Sequence, residues 1–245
     1  MIKGQAKRGF VPSDEREFSG ENLRKLQRAA EEVYYMLNRG YPVTNVTRFI
    51  GDHYIFSERQ RLALARTVSP KERIISRKKR EVKTIEGQTI HIDGFNVIIG
   101  LEIAFSDSML FKCMDGTVRD LAGLRGTYRL IPETDMAVNA LLKTLSDLKV
   151  GKAVIHLDKP VSNSGRLKQK IFEYADGKNY ELEVLIEDAV DHELKEKSLV
   201  ATGDAIILDE CDKWFNLVSY VISLSKGDYP YINICQDITS LDISC

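Results

Sequence analysis

Thr89-Ile90-His91-Ile92-Asp93-Gly94-Phe95-Asn96 is the stretch on which the fold turns. Its first four residues form a short β-type run, and the Asp-Gly-Phe-Asn quartet then turns the chain away from it. Asp93 stands where strand gives way to turn, Gly94 lets the backbone bend, and Asn96 bonds back to the turn or reaches a metal-bound water. Two later apolar runs also end in aspartate, AVIHLD at Asp158 and SLVATGD at Asp204. In a parallel α/β sheet the carboxyl ends of the strands share one edge, so residues distant in sequence converge on one crevice. Carboxylates gathered there suit hard divalent cations, which take oxygen ligands.

Working outward, short apolar runs alternate with helical patterns from residue 88 onward. The predicted strands are Thr89–Ile92, Ala153–Leu157, Leu182–Ile186, Ser198–Ala201 and Ala205–Leu208, with a helix opening near Pro132 between the first two. LEVLIED delivers Glu187 and Asp188 at a third strand end, with Asp191 one turn on if the chain goes helical, and AIILDE ends in Asp209 and Glu210. Such alternation predicts an α/β domain over residues 88–245, with a mostly parallel sheet covered by helices on both faces. Trp214 to Leu224 reads as an apolar helix packed on that sheet.

Residues 1–75 read as a basic helical module. Ser19 precedes ENLRKLQRAAEEVYYMLN, whose Leu23, Leu26, Ala30, Val33 and Leu37 fall at helical spacing, and Ser57 with Gln60 forms a capping-box signature before a second helix. Residues 76–87, with Arg77-Lys78-Lys79-Arg80, read as a basic linker. Lys and Arg outnumber Asp and Glu by 19 to 11 over residues 1–90 and fall short by 16 to 25 over residues 91–245. Opposite characters of this kind suit a protein that attracts a polyanion with one part and holds metal ions with the other. Arg59, Arg61, Arg66 and the Arg77–Arg80 tract are therefore either a solvated charged face or a phosphate-contacting surface.

The 245 residues, 43% of them hydrophobic, can build a proper core. No apolar stretch reaches the roughly 18 to 20 residues that span a bilayer, and the amino terminus lacks a secretory h-region, so a soluble cytoplasmic protein without a membrane partner is expected. Cys113, Cys211, Cys235 and Cys245 show no C-x-x-C pairing, which argues for reduced thiols over a zinc site or disulfide framework.

The series HIDGFNVIIG, VIHLD, VLIEDAVD and VATGDAIIL resembles the PIN-like nuclease superfamily, most closely its NYN branch, over roughly residues 88–210. The resemblance implies a Rossmann-like fold that gathers acidic residues at one sheet edge, binds Mg²⁺ or Mn²⁺, and hydrolyses RNA. It implies metal-ligand roles for Asp93 and Asp204, support from Asn96 and Thr202, a ligand or water-positioning role for Asp158, and the remaining acidic position for Asp188. The long insert between the first strand and the Pro132 helix, containing MDGTVRDLAGLRGTYR, departs from that family's usual core. The stretch NRGYPVTNVTRFIGDHYIFSERQRLALAR is similar to a domain of uncharacterised archaeal and bacterial proteins.

Arg119, Arg125 and Arg129 in the insert, with Thr202, are candidates for substrate contact. Alternatively the insert is a structural loop whose arginines pair with Asp115 and Asp120. Ser162, Ser164 and Gly165 either cap the following helix or cradle a phosphate at its N-terminus. His91 and His156 face a covered sheet and are expected to be satisfied structurally. No G-x-S-x-G elbow or P-loop is present, which disfavours a serine or cysteine nucleophile. Two functions follow: a metal-dependent ribonuclease acting through Asp93, Asn96, Asp158 and Asp204, or a non-catalytic nucleic-acid-binding or regulatory protein on the same fold. A homo-oligomer is compatible with either.

Overall fold

The Asp-Gly-Phe-Asn motif stands at the end of a parallel strand, as its position predicts. The structure, a computed structural model, describes residues 8–123, 126–225, 227, 229, 231–236 and 238. In chain order the elements are α1 (Asp14–Glu17), α2 (Gly20–Leu37), α3 (Val43–His53), α4 (Glu58–Thr67), α5 (Lys71–Arg80), β1 (Thr89–Asp93), α6 (Gly94–Phe105), β2 (Leu110–Lys112), β3 (Val118–Arg119), α7 (Pro132–Asp147), β4 (Lys152–Asp158), α8 (Ser164–Glu173), β5 (Glu181–Glu187), α9 (Val190–Lys195), β6 (Val200–Ala201), α10 (Ala205–Glu210), α11 (Leu217–Leu224) and β7 (Tyr231–Ile232). Among the described residues no helix is long and apolar enough to cross a membrane. The chain divides into two units, one made of residues 1–79, 107–122 and 229–245, the other of residues 80–106 and 123–228.

In the second unit four parallel strands lie in the order β5-β4-β1-β6. The register sets Asp93 beside His156 and Asp158 beside Glu187. Because side chains alternate along a strand, Ile90, Ile92, Ala153, Ile155 and Leu157 share one face, all of them fully buried. The long apolar helix α6 packs there, since a Cβ on Gly94 would meet Ile155, Leu157 and the His156 carbonyl. Thr89, His91, Asp93, Lys152, Val154, His156 and Asp158 turn to the opposite face. There Val190 and Leu194 of α9 pack with Val200, Ile207, Leu208 and Trp214. The predicted strand Ala205–Leu208 is helix α10 instead. Asp204 caps it by accepting from the amides of Ile206 and Ile207, and the run buries Ile207 and Leu208 while leaving Ile206 exposed, a helical rather than an alternating pattern.

In the first unit α2 buries Leu26, Ala29, Ala30, Val33 and Leu37 along one stripe. These residues join Phe18, Val46, Ile50, Leu64, Ile74, Phe111, Met114 and Ile234 in one core. Ser57 and Gln60 close the expected capping box on α4. Two features differ from the sequence reading. Residues 71–80 are helical, so the basic tract is no extended linker: Ile74 and Arg77 are buried on one side of α5. The insert contributes β2 and β3 to a small sheet of order β3-β2-β7, whose strands of two or three residues are too short to show a period.

Candidate functional site

Asp93 is the last residue of β1 and Asp204 follows β6 by three residues, and each caps the helix that comes next. Helix α6 packs on the Ile92 face and α10 on the Val200 face, so β1 and β6 flank a topological switch point, where open α/β sheets form a crevice at the carboxyl edge. A lattice of hydrogen bonds spans it. Thr202 donates from Oγ1 to Asp93 Oδ2 at 2.8 Å and accepts from the Asp204 amide at 3.0 Å. Asn96 presents Oδ1 to the Gly203 amide at 2.7 Å, and its own amide donates to Asp93 Oδ1 at 3.3 Å. The D-G-x-N and T-G-D segments are thus two halves of one constellation. Gly94 is required by close approach rather than by a bend: a Cβ there would lie 2.7 Å from the His156 carbonyl oxygen.

The electrostatics tie further acids to this pair. Burial pushes Asp93 up to about 7, against the pull of Thr202 and the Asn96 amide, and the charges of Asp204 and Asp191 push it further the same way. Burial and then Asp191 raise Asp158, and burial and then Asp204 raise Asp191. Asp191 therefore shares a field with Asp93, with Asp158 and with Asp204. Asp188 is exposed and pairs with Lys159 at 3.1 Å. Asp191, in the first turn of α9, is the acid whose charge reaches both Asp93 and Asp158. The helical spacing after Asp188 was its only signal in the sequence. Among the described residues, no three histidine, cysteine, aspartate or glutamate side chains are gathered tightly enough to hold a metal ion.

Thr202 is buried and donates to Asp93. Arg119 belongs to the first unit, where its Nη2 meets Asp115 at 2.7 Å and Arg77 meets the same carboxylate at 2.8 Å. Burial alone would raise Asp115, but Arg119, Thr117 and Arg77 overcome it and hold the carboxyl well below its ordinary range. Arg59 grips Asp14, Arg61 the exposed Asp52, and Arg66 Asp120, so each of these arginines makes a contact within the module. Arg129 is exposed in the second unit, and Arg125 lies outside the described residues. Ser162 and Asn163 bind the backbone of Tyr128 and anchor the end of the insert. Ser164 is buried at the start of α8, whose cap makes no side-chain hydrogen bond. Cys113, Cys211 and Cys235 are buried free thiols, and Cys245 lies outside the described residues.

The histidines form a line across three strands that sequence reasoning did not foresee. His91 Nδ1 and His156 Nε2 lie 3.0 Å apart, and His156 Nδ1 meets Glu187 Oε2 at 2.5 Å. Burial, then the neighbouring His156, lowers His91 to about 4.

A family model described as a domain of unknown function, DUF5616, matches residues 82–220, the sheet and the whole acidic crevice. The chain belongs to this family. A second model, described as a protein of unknown function, DUF434, matches residues 25–80 in the first unit. The uncharacterized protein MJ0935 of Methanocaldococcus jannaschii is 37% identical over 209 residues, covering 84% of this chain and 98% of its own. No solved structure matches.

Proposed function

We propose that the chain is a metal-dependent ribonuclease on a PIN-like fold, with the crevice between β1 and β6 as its active site. One observation carries the reading: Asp93, held by Thr202 at a strand end, shares its field with Asp204 and Asp191, and Asp191 with Asp158. The donor set suits Mg²⁺ or Mn²⁺, since all four groups offer carboxylate oxygen and a divalent ion relieves their repulsion. Asp93, Asp158, Asp191 and Asp204 would hold the ion, and a bound ion of this kind supplies activated water and stabilises charge on phosphate. Thr202 and Asn96 fix the Asp93 carboxylate in place. Arg129, exposed in the same unit, is the remaining described candidate among the insert arginines for a phosphate contact.

A second reading, a nucleic-acid-binding or regulatory protein without catalysis, draws on a specific observation. Both Asp93 oxygens are engaged internally, and among the described residues the acids are not drawn into a cage. The two readings separate in one assay, incubation of single-stranded RNA with the protein in millimolar Mg²⁺ or Mn²⁺. The nuclease reading expects cleavage that stops with EDTA and falls by roughly 100-fold or more in Asp204→Asn. RNA bound but left intact with both ions would overturn it in favour of the second reading.

A further inference from the structure

The first unit contains a cleft of about 390 Å³ lined by Glu31, Tyr34, Tyr35, Asn38, Arg39 and Lys71, with Ile238 also at its wall. Asn38 builds it. Its Nδ2 donates to the Tyr34 carbonyl at 2.7 Å and its Oδ1 accepts from the Lys71 amide at 2.8 Å, which fixes the first residue of α5 against the last turn of α2. The walls therefore do not depend on a ligand to bring them together. Arg39 lies over the Tyr35 ring, 4.7 Å from its centroid, and Tyr35 is 59% exposed.

The lining specifies a class of ligand. Two cations, Arg39 and Lys71, stand against the single carboxylate of Glu31, a balance that favours an anion. The volume lies within the roughly 300–1,000 Å³ of small-molecule sites, more than a bare phosphate fills. Tyr34, Tyr35 and Ile238 offer apolar and aromatic surface, and planar bases stack on such rings whatever their identity. We propose that this cleft binds a nucleoside monophosphate group, either as a free nucleotide or as the 5′ end of an RNA. Arg39 and Lys71 hold the phosphate, Tyr35 stacks on the base, and Glu31 accepts from a ribose hydroxyl. This site is independent of the acidic crevice and needs no metal.

Calorimetric titration of the full chain in EDTA tests it, with adenosine 5′-monophosphate, adenosine and inorganic phosphate as probes. The monophosphate binds at least tenfold more tightly than either fragment. Tyr35→Ala and Arg39→Ala, both on exposed side chains, each weaken it at least tenfold while circular dichroism stays unchanged. Displacement of the monophosphate by a 5′-phosphorylated oligoribonucleotide, but not by its 5′-hydroxyl counterpart, assigns the site to RNA ends, and failure of both to displace assigns it to free nucleotides. Absence of binding at millimolar monophosphate, equal binding of inorganic phosphate, or affinity unchanged in both variants overturns the proposal.

Discussion

Asp93 is buried, yet it closes the strand on which the whole crevice is built. Its folded value near 7 lies above its unfolded value near 3.8, so the folded state holds the proton through that window. The stability contribution of this group consequently falls as pH rises from about 4 through 7, and the burial of a charge weighs in full above it. Asp93→Asn removes the charge at nearly constant shape. Scanning calorimetry should show the variant melting higher than wild type at pH 8 by roughly 2–4 °C for each kcal/mol recovered, with the gain gone at pH 4. A loss at pH 8 would mean that the bonds to Thr202 and the Asn96 amide outweigh the buried charge. Asp115 presents the opposite case, a buried carboxylate held ionised between Arg77 and Arg119. Asp115→Asn removes the charge that both guanidiniums share, and urea unfolding should register a loss of about 3–5 kcal/mol. A decrease under about 1 kcal/mol would show that other partners of the two arginines hold them in place.

At the scale of elements, the junction of β1, α6 and β4 rests on one missing methyl group. An alanine at Gly94 would press on backbone as well as on Leu157 and Ile155, and backbone cannot swing aside. Gly94→Ala should therefore cost about 1–3 kcal/mol or more, read as a lower urea midpoint, and a neutral result would mean that α6 slides freely on the sheet. Asn96→Ala should cost about 1 kcal/mol by removing the acceptor of the Gly203 amide. Much of this region was legible in the sequence, because strands β1, β4 and β5 are long enough to show their period and each ends in an acid. Helix α7 was equally legible from Pro132 at its first turn. The rest was not, for definite reasons. Ala205–Leu208 is apolar in either conformation, and only the cap at Asp204 makes it helical. Asp191 was legible only on condition that the chain turns helical after Asp188, because that turn and not the strand sets where it lies. The line from His91 to Glu187 depends on the lateral order of three strands, which no local pattern encodes.

At the scale of the whole chain, the division into units does not follow the sequence as a single cut. Residues 107–122 belong with the amino-terminal helices, and Phe111 and Met114 are buried in that core. Removal of residues 1–75 would strip away α1 to α4 and expose those side chains, so the truncated chain should aggregate on size-exclusion chromatography rather than merely bind RNA less well. A monodisperse truncated protein would contradict the division. Four arginines of this half are held in internal pairs, whereas cations such as Lys78 and Lys79 are exposed. If they bind RNA phosphates, replacing both with alanine should flatten the logarithmic salt dependence of binding by about 0.7 for each phosphate no longer neutralised, and an unchanged slope would assign them to solvent. In the proposed site Asp93, Asp158, Asp191 and Asp204 form one cation-binding crevice from which Asp188 is excluded. Titration of Mn²⁺ into wild type, Asp191→Asn and Asp188→Asn tests it most directly. Wild type should bind Mn²⁺ at a site weakened at least tenfold by Asp191→Asn and untouched by Asp188→Asn. Absence of Mn²⁺ binding, or a greater effect at Asp188 than at Asp191, would contradict it.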